Sequence, residues 1–264
     1  MTEKEKYYPL SFSSLNAFAR SPLSFIQYKT APRTVTPAMK LGTMVHRRIL
    51  EPELYQKTVV VYDGRRAGNA WIEFKSDHDD RDILTRDEEH KIESIATSVR
   101  LQPQAMDLLR SCNEYERAVD WEFEGIRHRG IIDALSPFAV IDLKVTNAVD
   151  PKSMQRTVFD RRYFVQAAMY CDAVSSIGYN VDQAFIIAIE SNPPYHVAVY
   201  ELAPDYIERG ANEWRRLLNV FQNWSGLPDH SHDPFDRQEL NAPSWAKEVG
   251  DFWDDQRENK RQTI

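Results

Sequence analysis

The chain has 264 residues, of which 42% are hydrophobic and 28% are charged, and this mixture is typical of a globular protein with a sizeable core. Its two cysteines, Cys112 and Cys171, are too few for a disulfide framework or a four-cysteine metal site, and they are consistent with a reducing compartment. No apolar run approaches the roughly 20 residues that cross a bilayer, and residues 1–10 lack the apolar core of a signal peptide. We therefore expect a cytoplasmic protein without a membrane partner.

The net charge of −7 argues at first against a nucleic-acid partner. The charges are unevenly distributed, however, because residues 1–50 are rich in Lys and Arg whereas residues 229–264 are acidic. An acidic protein can bind DNA through a local basic groove, and carboxylates that hold a metal add negative charge of their own. No phosphate-binding loop or dinucleotide-binding glycine pattern is present, so neither ATP-driven translocation nor redox chemistry is indicated.

The first predicted element is a helical segment at residues 11–29, where apolar side chains recur at helical spacing. Either Ser13 or Ser14 is expected to cap this segment, and Pro22 is expected to end its first helix.

A second helix is predicted at residues 39–50, and Pro52 ends it. His46 lies on this helix and is followed by Arg47 and Arg48. A single histidine on a partly apolar helix is more often a packed structural residue than a metal ligand, so the pattern alone leaves both interpretations open.

Residues 62–83 are rich in charge and glycine, and they fit a DNA-facing excursion and an ordinary solvated loop and helix equally well. A helix is predicted from Thr85 to about Val99, because Thr85 and Glu88 have the spacing of a capping box. A shorter helix is predicted at residues 104–109.

Three strands are predicted next, at residues 114–123, 126–134 and 139–145, because apolar and polar residues alternate there and β-branched residues are frequent. Ser136 and Pro137 mark the turn between the last two strands. These two strands therefore form a hairpin.

Two aspartates and a lysine lie on this hairpin. Side chains two residues apart on a strand point to the same face, so Asp142 and Lys144 project together, and the neighbouring strand brings Asp133 next to them. Two carboxylates can hold Mg²⁺, and a lysine beside them can orient water or stabilise charge on a phosphate. This pattern is typical of a metal-dependent nuclease.

An acid-x-Lys triplet alone carries little weight, since Asp150 and Lys152 form another one. That second triplet lies in a polar, proline-containing segment, whereas Asp142 and Lys144 interrupt an apolar strand. Burying ionised groups is costly unless they are paired or hold a metal. The alternative to a catalytic site is therefore a structural ion pair between Asp142 and Lys144.

A helix is predicted at residues 151–175, and Gln166 and Tyr170 lie on one face of it because they are four residues apart. The elements predicted after it are two strands and a helix, at residues 183–190, 195–201 and 204–224. In the acidic segment that follows, a metal site and a solvated loop are both compatible with His230, His232 and Asp233.

Taken together, these segments resemble the PD-(D/E)xK nuclease superfamily, and within it the phage and prophage branch typified by exonuclease VIII (RecE). The resemblance covers most of the chain and is carried by SFSSLNAFARSPLSF, by TPAMKLGTMVHRRILEPE, by the strand pair with Arg129, Asp133, Asp142 and Lys144 followed by Thr146, and by RYFVQAAMYCDA. Two positions depart from the family pattern. Ile132 replaces the proline that usually precedes the first aspartate, and Ser21 stands where iron–sulfur relatives have a cluster-binding cysteine.

The resemblance implies an α/β fold, with a PD-(D/E)xK nuclease core in which a central mixed β-sheet is flanked by helices. It implies that Mg²⁺, with Mn²⁺ as a substitute, is bound by His46, Asp133, Asp142 and the backbone carbonyl of Leu143. It also implies that Lys144 positions or activates the attacking water and stabilises charge in the transition state.

Gln166 and Tyr170 match a Gln-x-x-x-Tyr element that related nucleases use at the active site; simple helix packing is the alternative. The residues assigned to DNA binding are Arg47, Arg48, Arg129 and Arg161. We divide the chain into a nuclease domain at residues 1–226, which includes the N-terminal helical DNA-binding part, and an acidic tail or peripheral segment at residues 227–264.

The implied activity is that of an exodeoxyribonuclease that degrades linear double-stranded DNA from 5′ to 3′, for phage-type recombination by single-strand annealing. The implied partners are double-stranded DNA ends, a homo-oligomeric ring of the trimer or tetramer type, and a single-strand annealing recombinase, in the cytoplasm of a bacterial or phage-infected host cell. Two alternatives stay open: a structure-specific or single-strand DNA nuclease of the same fold, and a catalytically silent DNA-binding or assembly module.

Overall fold

The computed structural model describes residues 4–228, so the predictions for His230, His232, Asp233 and most of the acidic tail lie outside it. The strands are β1 (Val59–Tyr62), β2 (Asp82–Thr85), β3 (Glu114–Phe123), β4 (Ile126–Leu135), β5 (Ala139–Thr146), β6 (Gln183–Glu190) and β7 (Val197–Glu201). The α-helices are α1 (Phe12–Phe18), α2 (Pro22–Thr30), α3 (Pro37–Leu50), α4 (Pro52–Thr58), α5 (Asn69–Asp77), α6 (Arg86–Leu101), α7 (Pro103–Arg110), α8 (Pro151–Asp160), α9 (Tyr163–Ser176) and α10 (Pro204–Asn223).

The centre of the molecule is a five-stranded sheet in the order β3-β4-β5-β6-β7. Strands β5 and β6 are parallel and are connected through α8 and α9, whereas the other neighbours are antiparallel. The α/β fold with a central mixed sheet and flanking helices is therefore confirmed. A separate parallel pair, β1 and β2, was not predicted from the sequence. No helix within residues 4–228 combines the length and the apolar character needed to cross a bilayer.

Hydrophobic clusters cover both faces of the sheet, and the alternation along β5 shows how. Val140 packs into a cluster with Phe164 and Trp214 from α9 and α10, whereas Ile141 and Leu143 pack into a second cluster with residues of α3 and α6. Side chains at even positions of β5 therefore point toward α9. This register also directs Asp142 and Lys144 toward α9, at the end of the strand where the apolar packing stops.

Strands β4 and β5 pair over a short distance and then separate. Their ladder consists of Ala134 with Ile141 and Leu135 with Val140. Beyond it, β4 turns to the N-terminal segment, where the backbone N–H of Leu10 donates to the Arg127 carbonyl at 2.9 Å. The sheet therefore has a gap between β4 and β5 immediately next to Ala134.

The α1 cap differs from the one expected. Ser11 caps this helix by accepting a hydrogen bond from the Ser14 backbone N–H at 3.2 Å, and the Ser14 hydroxyl accepts one in return from the Ser11 N–H at 2.8 Å. The prediction of Ser13 or Ser14 was wrong because Ser14 occupies the third helical position of a capping box made of two serines.

The single helix predicted at residues 151–175 is two helices, α8 and α9. Arg162 separates them with a left-handed backbone at φ 57°, a conformation that few residues other than glycine adopt. The N-terminal part shows a comparable difference, since Pro52 ends α3 as predicted but also begins α4 at its first turn. A proline there removes an N–H that has no partner inside the helix.

Candidate active site

The gap between β4 and β5 is filled by the Asp133 carboxylate. Asp133 is 8% exposed, and its Oδ2 atom accepts a hydrogen bond from the backbone N–H of Leu143 at 2.7 Å. A side chain thus takes the place of the backbone acceptor that β4 would have supplied if pairing had continued. Asp133 is held against β5 and cannot turn away without leaving this N–H unpaired.

His46 projects from α3 into the same gap. Its Nε2 atom lies 3.0 Å from the Leu143 carbonyl oxygen, and its Nδ1 atom lies 3.6 Å from Asp133 Oδ2. The resemblance assigned this carbonyl to the metal; here it accepts the hydrogen bond from the imidazole. A histidine that donates one ring N–H to a carbonyl presents its other nitrogen in a fixed direction, as metal-binding histidines commonly do.

Glu116 of β3 completes this cluster, and sequence reasoning missed it. Its Oε1 atom lies 3.8 Å from His46 Nδ1, and one ligand atom each from His46, Glu116 and Asp133 lie within 4.8 Å of one another. Burial lowers the pKa of His46, but the Asp133 carboxylate and the Glu116 hydrogen bond raise it by more. The imidazole therefore lies in a negative field that also favours a cation.

A signal for Glu116 was present in the turn between β3 and β4. This turn is the two-residue Glu124–Gly125 loop, in which both residues have positive φ, as the preferred hairpin turns require. Counting back from such a turn places Glu116 opposite Asp133. The turn dipeptide Glu-Gly is a weaker marker than Asn-Gly, so the sequence alone left the register of this hairpin open.

Asp142 and Lys144 form a close ion pair beside the cluster. Lys144 Nζ lies 2.5 Å from Asp142 Oδ2, and the two side chains are 17% and 16% exposed. Burial lowers the pKa of Lys144, but the Asp142 and Asp133 carboxylates raise it above its usual range. Burial raises the pKa of Asp142, the Lys144 ammonium opposes this, and the Asp133 charge adds to it. Lys144 is therefore a partly buried cation that is paired with Asp142 and stabilised by the charge of Asp133.

Helix α9 brings three polar side chains to this pair. Gln166 Nε2 donates to Asp142 Oδ1 at 3.1 Å and lies 3.3 Å from the Tyr170 hydroxyl. The ring centroid of Tyr163, which sequence reasoning did not single out, lies 4.6 Å from Lys144 Nζ. Positions 163, 166 and 170 follow one helix face, so the spacing from Gln166 back to Tyr163 was the available signal.

The chemistry of these donors fits a divalent metal ion. Asp133 and Glu116 offer carboxylate oxygens and His46 offers a nitrogen at mutually short distances, and carboxylate and imidazole groups are common ligands of divalent metal ions. Asp142 is not in this trio, because Lys144 and Gln166 hold its carboxylate. The predicted ligands His46 and Asp133 thus lie together, while Asp142 lies next to them with its charge partly compensated.

The four predicted DNA-binding arginines occupy different environments. Arg47 is ion-paired with Asp82 at 2.6 Å, Arg48 with Glu93 at 2.7 Å, and Arg129 with Asp120 at 2.7 Å, whereas Arg161 is exposed at the α8–α9 junction. The first two pairs link α3 to β2 and α6. Their charges are already compensated within the protein, and their assignment to DNA remains a prediction.

Comparison with known proteins agrees with this architecture. Residues 11–229 match a family model described as a PDDEXK-like domain of unknown function (DUF3799). The fold is similar to the crystal structure of a protein from Eubacterium rectale named "Putative exonuclease", with a TM-score of 0.60, 14% sequence identity and coverage of 93% of this chain and 94% of the other.

A second crystal structure, of SSO0001, is 17% identical and covers 67% of this chain and 86% of its own, but its TM-score is 0.26. This value is too low to support an argument about the fold. No match was found among curated protein sequences. The family model spans residues 11–229, which is most of the chain, so the chain belongs to the family of PDDEXK-like domains.

Proposed function

We propose that the protein is a metal-dependent exodeoxyribonuclease that degrades linear double-stranded DNA from its 5′ ends. The observation that carries the proposal is the contact between Lys144 and Asp142 at 2.5 Å, directly beside the cluster of His46, Glu116 and Asp133. Phosphodiester hydrolysis needs a metal-binding site and a fixed positive donor for the phosphate. The grouped carboxylates at the break in the sheet provide the first, and the neighbouring lysine provides the second.

Each side chain has a role in this proposal. A bound Mg²⁺, held by His46, Asp133, Glu116 and the nearby Asp142, would supply the Lewis acidity of the reaction. Lys144 directs its ammonium to the attacking water or to a phosphate oxygen. Water adds to phosphorus, the bond from phosphorus to O3′ breaks, the water gives up a proton and O3′ gains one. The products are a 3′-hydroxyl and a 5′-phosphate.

Gln166 and Tyr170 are assigned to positioning. Gln166 bonds to the Asp142 carboxylate on the side opposite Lys144, and Tyr170 lies next to the Gln166 amide. Together they fix the rotamer of Asp142, which a single ion pair would not do. Arg129 and Arg161 are exposed and remain candidates for contacts to the DNA backbone.

The biological setting of the proposal rests on the resemblance to the RecE-like branch. We propose that the substrate is a double-stranded DNA end and that the protein acts as a ring of three or four copies. We further propose that it works with a single-strand annealing recombinase in the cytoplasm of a bacterial or phage-infected cell.

The proposal is tested with linear duplex DNA labelled at either the 5′ or the 3′ end, with Mg²⁺ and with excess chelator. We expect metal-dependent degradation that releases the 5′ label first. Asp142→Asn removes a charge at nearly constant volume and should abolish cleavage in a folded protein. Asp150→Asn is the matched control, because Asp150 caps α8 by accepting from the Ser153 N–H at 3.0 Å, and asparagine caps equally well.

The outcomes separate the parts of the proposal. Full cleavage by Asp142→Asn, or by the wild-type protein in excess chelator, contradicts the active site. Release of the 3′ label first contradicts only the direction, and cleavage of circular duplex contradicts the requirement for an end.

A further inference from the structure

We propose that a pocket beside the active site binds an unpaired nucleotide of the DNA substrate by stacking its base on Phe159. This inference rests on the proposed nuclease function and adds a substrate contact to it. The pocket, called here the aromatic–arginine pocket, has a volume of about 390 Å³ and is lined by Phe159, Arg162, Phe164, Arg209, Asn212, Glu213 and Arg216. It lies between the α8–α9 junction and α10.

The aromatic part of the pocket is built in two layers. Phe159 is 50% exposed at the end of α8, and its ring is stacked on Phe164 with centroids 5.8 Å apart and planes inclined by 15°. Phe164 is buried and also contacts Tyr206 of α10 edge to face at 6.0 Å. The outer ring is therefore supported from below and remains half open to solvent. A flat aromatic surface of this kind suits a nucleobase, because every base has a π-face.

The charges around this surface favour an anionic ligand. Arg162 lies 3.4 Å and Arg216 3.0 Å from the carboxylate of Glu213, so one acidic group is shared by two arginines. Arg209 lies over the Phe159 ring with its guanidinium carbon 5.3 Å from the centroid, so a base that stacks on Phe159 displaces this guanidinium. Among the described residues Arg209 forms no ion pair closer than 4 Å, and no salt bridge there therefore fixes it in this position. Three guanidinium groups thus face one carboxylate, which leaves positive charge for a phosphate.

The pocket is continuous with the active site along the chain. Arg162, whose left-handed backbone separates α8 from α9, lines the pocket. The next residue is Tyr163, whose ring centroid lies 4.6 Å from Lys144 Nζ. In the proposed complex, a DNA strand with its scissile phosphate at Lys144 would pass over Tyr163 to reach the pocket. The adjacent Arg161 is exposed.

The inference is tested by DNA binding in Ca²⁺, which we expect to support binding but little cleavage. The probes are a blunt duplex and the same duplex with a single-stranded overhang that carries 2-aminopurine, a base whose fluorescence is quenched by stacking. Phe159→Leu should weaken overhang binding about fivefold to tenfold, in line with the loss of one base–aromatic stack. It should also restore the fluorescence and leave blunt-duplex affinity within about twofold. Arg209→Gln should weaken overhang binding and flatten its salt dependence.

The matched control is Phe138→Leu, since Phe138 is 44% exposed in the β4–β5 turn, outside the pocket, and this variant should behave like the wild type. If Phe159→Leu binds and quenches the overhang as the wild type does, the inference is overturned, while metal-dependent cleavage by the wild type still supports the nuclease. If the wild type binds neither DNA and cleaves none, the proposed function itself fails. Circular dichroism on each variant confirms that the fold is retained.

Discussion

Glu116 and Asp133 lie opposite each other on β3 and β4, at a position where the ladder between the two strands is interrupted. Tyr115 pairs with Ala134 and Arg117 pairs with Ile132, but the pair between them is missing. Glu116 has a left-handed backbone with φ 47°, which is uncommon for a residue other than glycine. Such strain often occurs where a side chain must be aimed at a functional site. Here the Glu116 carboxylate is brought to the His46 imidazole.

We therefore predict that Glu116 contributes to cation binding. Glu116→Gln should weaken the affinity for Ca²⁺ or Mn²⁺ by about tenfold or more, because loss of a ligand should cost at least as much as loss of a group that orients one. Calorimetry of metal binding in the absence of DNA measures this directly. Glu122→Gln is the control on the same strand, since Glu122 is exposed. Equal metal affinities for the wild type and Glu116→Gln would exclude Glu116 from the site.

A second prediction separates chemistry from binding at Lys144. Lys144→Ala should lower the single-turnover cleavage rate by roughly a hundredfold or more, as expected when one preorganised electrostatic donor is lost. DNA affinity in Ca²⁺ should remain close to that of the wild type, because the partly buried Lys144 already has its charge paired with Asp142. A collapse of affinity with an intact cleavage rate in the bound state would make Lys144 a phosphate anchor instead.

A third prediction concerns Gly130, which lies beneath the Tyr170 ring. A Cβ atom at Gly130 would be 2.7 Å from Tyr170 Cε1, so Gly130→Ala should displace the tyrosine and, through Gln166, the carboxylate of Asp142. We expect a lower cleavage rate. The check is a double-mutant cycle with Tyr170→Leu. Once the ring is removed, the alanine should cost little further activity, and strictly additive losses would argue against this route.

A fourth prediction is acid sensitivity caused by His128. This side chain is 1% exposed, its ring is stacked on Trp121 at 5.1 Å, and neither ring nitrogen has a hydrogen-bond partner within residues 4–228. Burial lowers the pKa of His128 from 6.5 to about 4. Below pH 6.5, His128 therefore binds a proton in the unfolded chain but stays neutral in the folded chain. The free energy of unfolding should fall between about pH 6.5 and pH 4 because of this residue, by roughly 3 kcal/mol at most.

Urea unfolding of the wild type and His128→Leu across this pH range tests the contribution of His128. The variant should lose less stability on acidification than the wild type does. A variant at the exposed His196, such as His196→Gln, serves as the control. Parallel pH profiles for the wild type and His128→Leu would assign the acid sensitivity to other groups.

A fifth prediction distinguishes among the arginines. Arg161→Gln should flatten the slope of log affinity for DNA against log salt by about one, as expected for the loss of one phosphate contact. Arg48→Gln should instead lower the free energy of unfolding and leave that slope nearly unchanged, because Arg48 holds Glu93 of α6 at 2.7 Å. The opposite pattern in salt titrations would place the DNA on α3.

The strands that carry the site were predictable because their patterns are local. The predicted strand at 114–123 is β3 in full, and Asp142 and Lys144 share a face as the period of two requires. Glu116 could not be found in this way, because its role depends on the hairpin register and on a backbone conformation that glutamate rarely adopts. The alternation of residues along one strand reveals neither the register of the hairpin nor the backbone conformation of a single residue.

The helices show a similar limit. Gln166 and Tyr170 were placed on one face correctly, since helical spacing is a local property. The break at Arg162 was missed because arginine is not a helix breaker, and its left-handed backbone is imposed by surrounding structure such as the contact with Glu213 of α10. Ion pairs between distant elements, such as Arg47 with Asp82, likewise depend on the tertiary fold.

Because of the gap between β4 and β5, two of the site residues are needed for the structure of the sheet as well as for catalysis. Asp133 accepts from the Leu143 N–H and His46 lies against the Leu143 carbonyl, so these two side chains satisfy the backbone of β5 where a neighbouring strand is lacking. A descendant that lost its nuclease activity would still be under selection to keep both residues so that the sheet stays intact. No hydrogen bond from Lys144 or Glu116 to the β5 backbone is seen among the described residues. An inactive relative would therefore be expected to diverge first at these two positions.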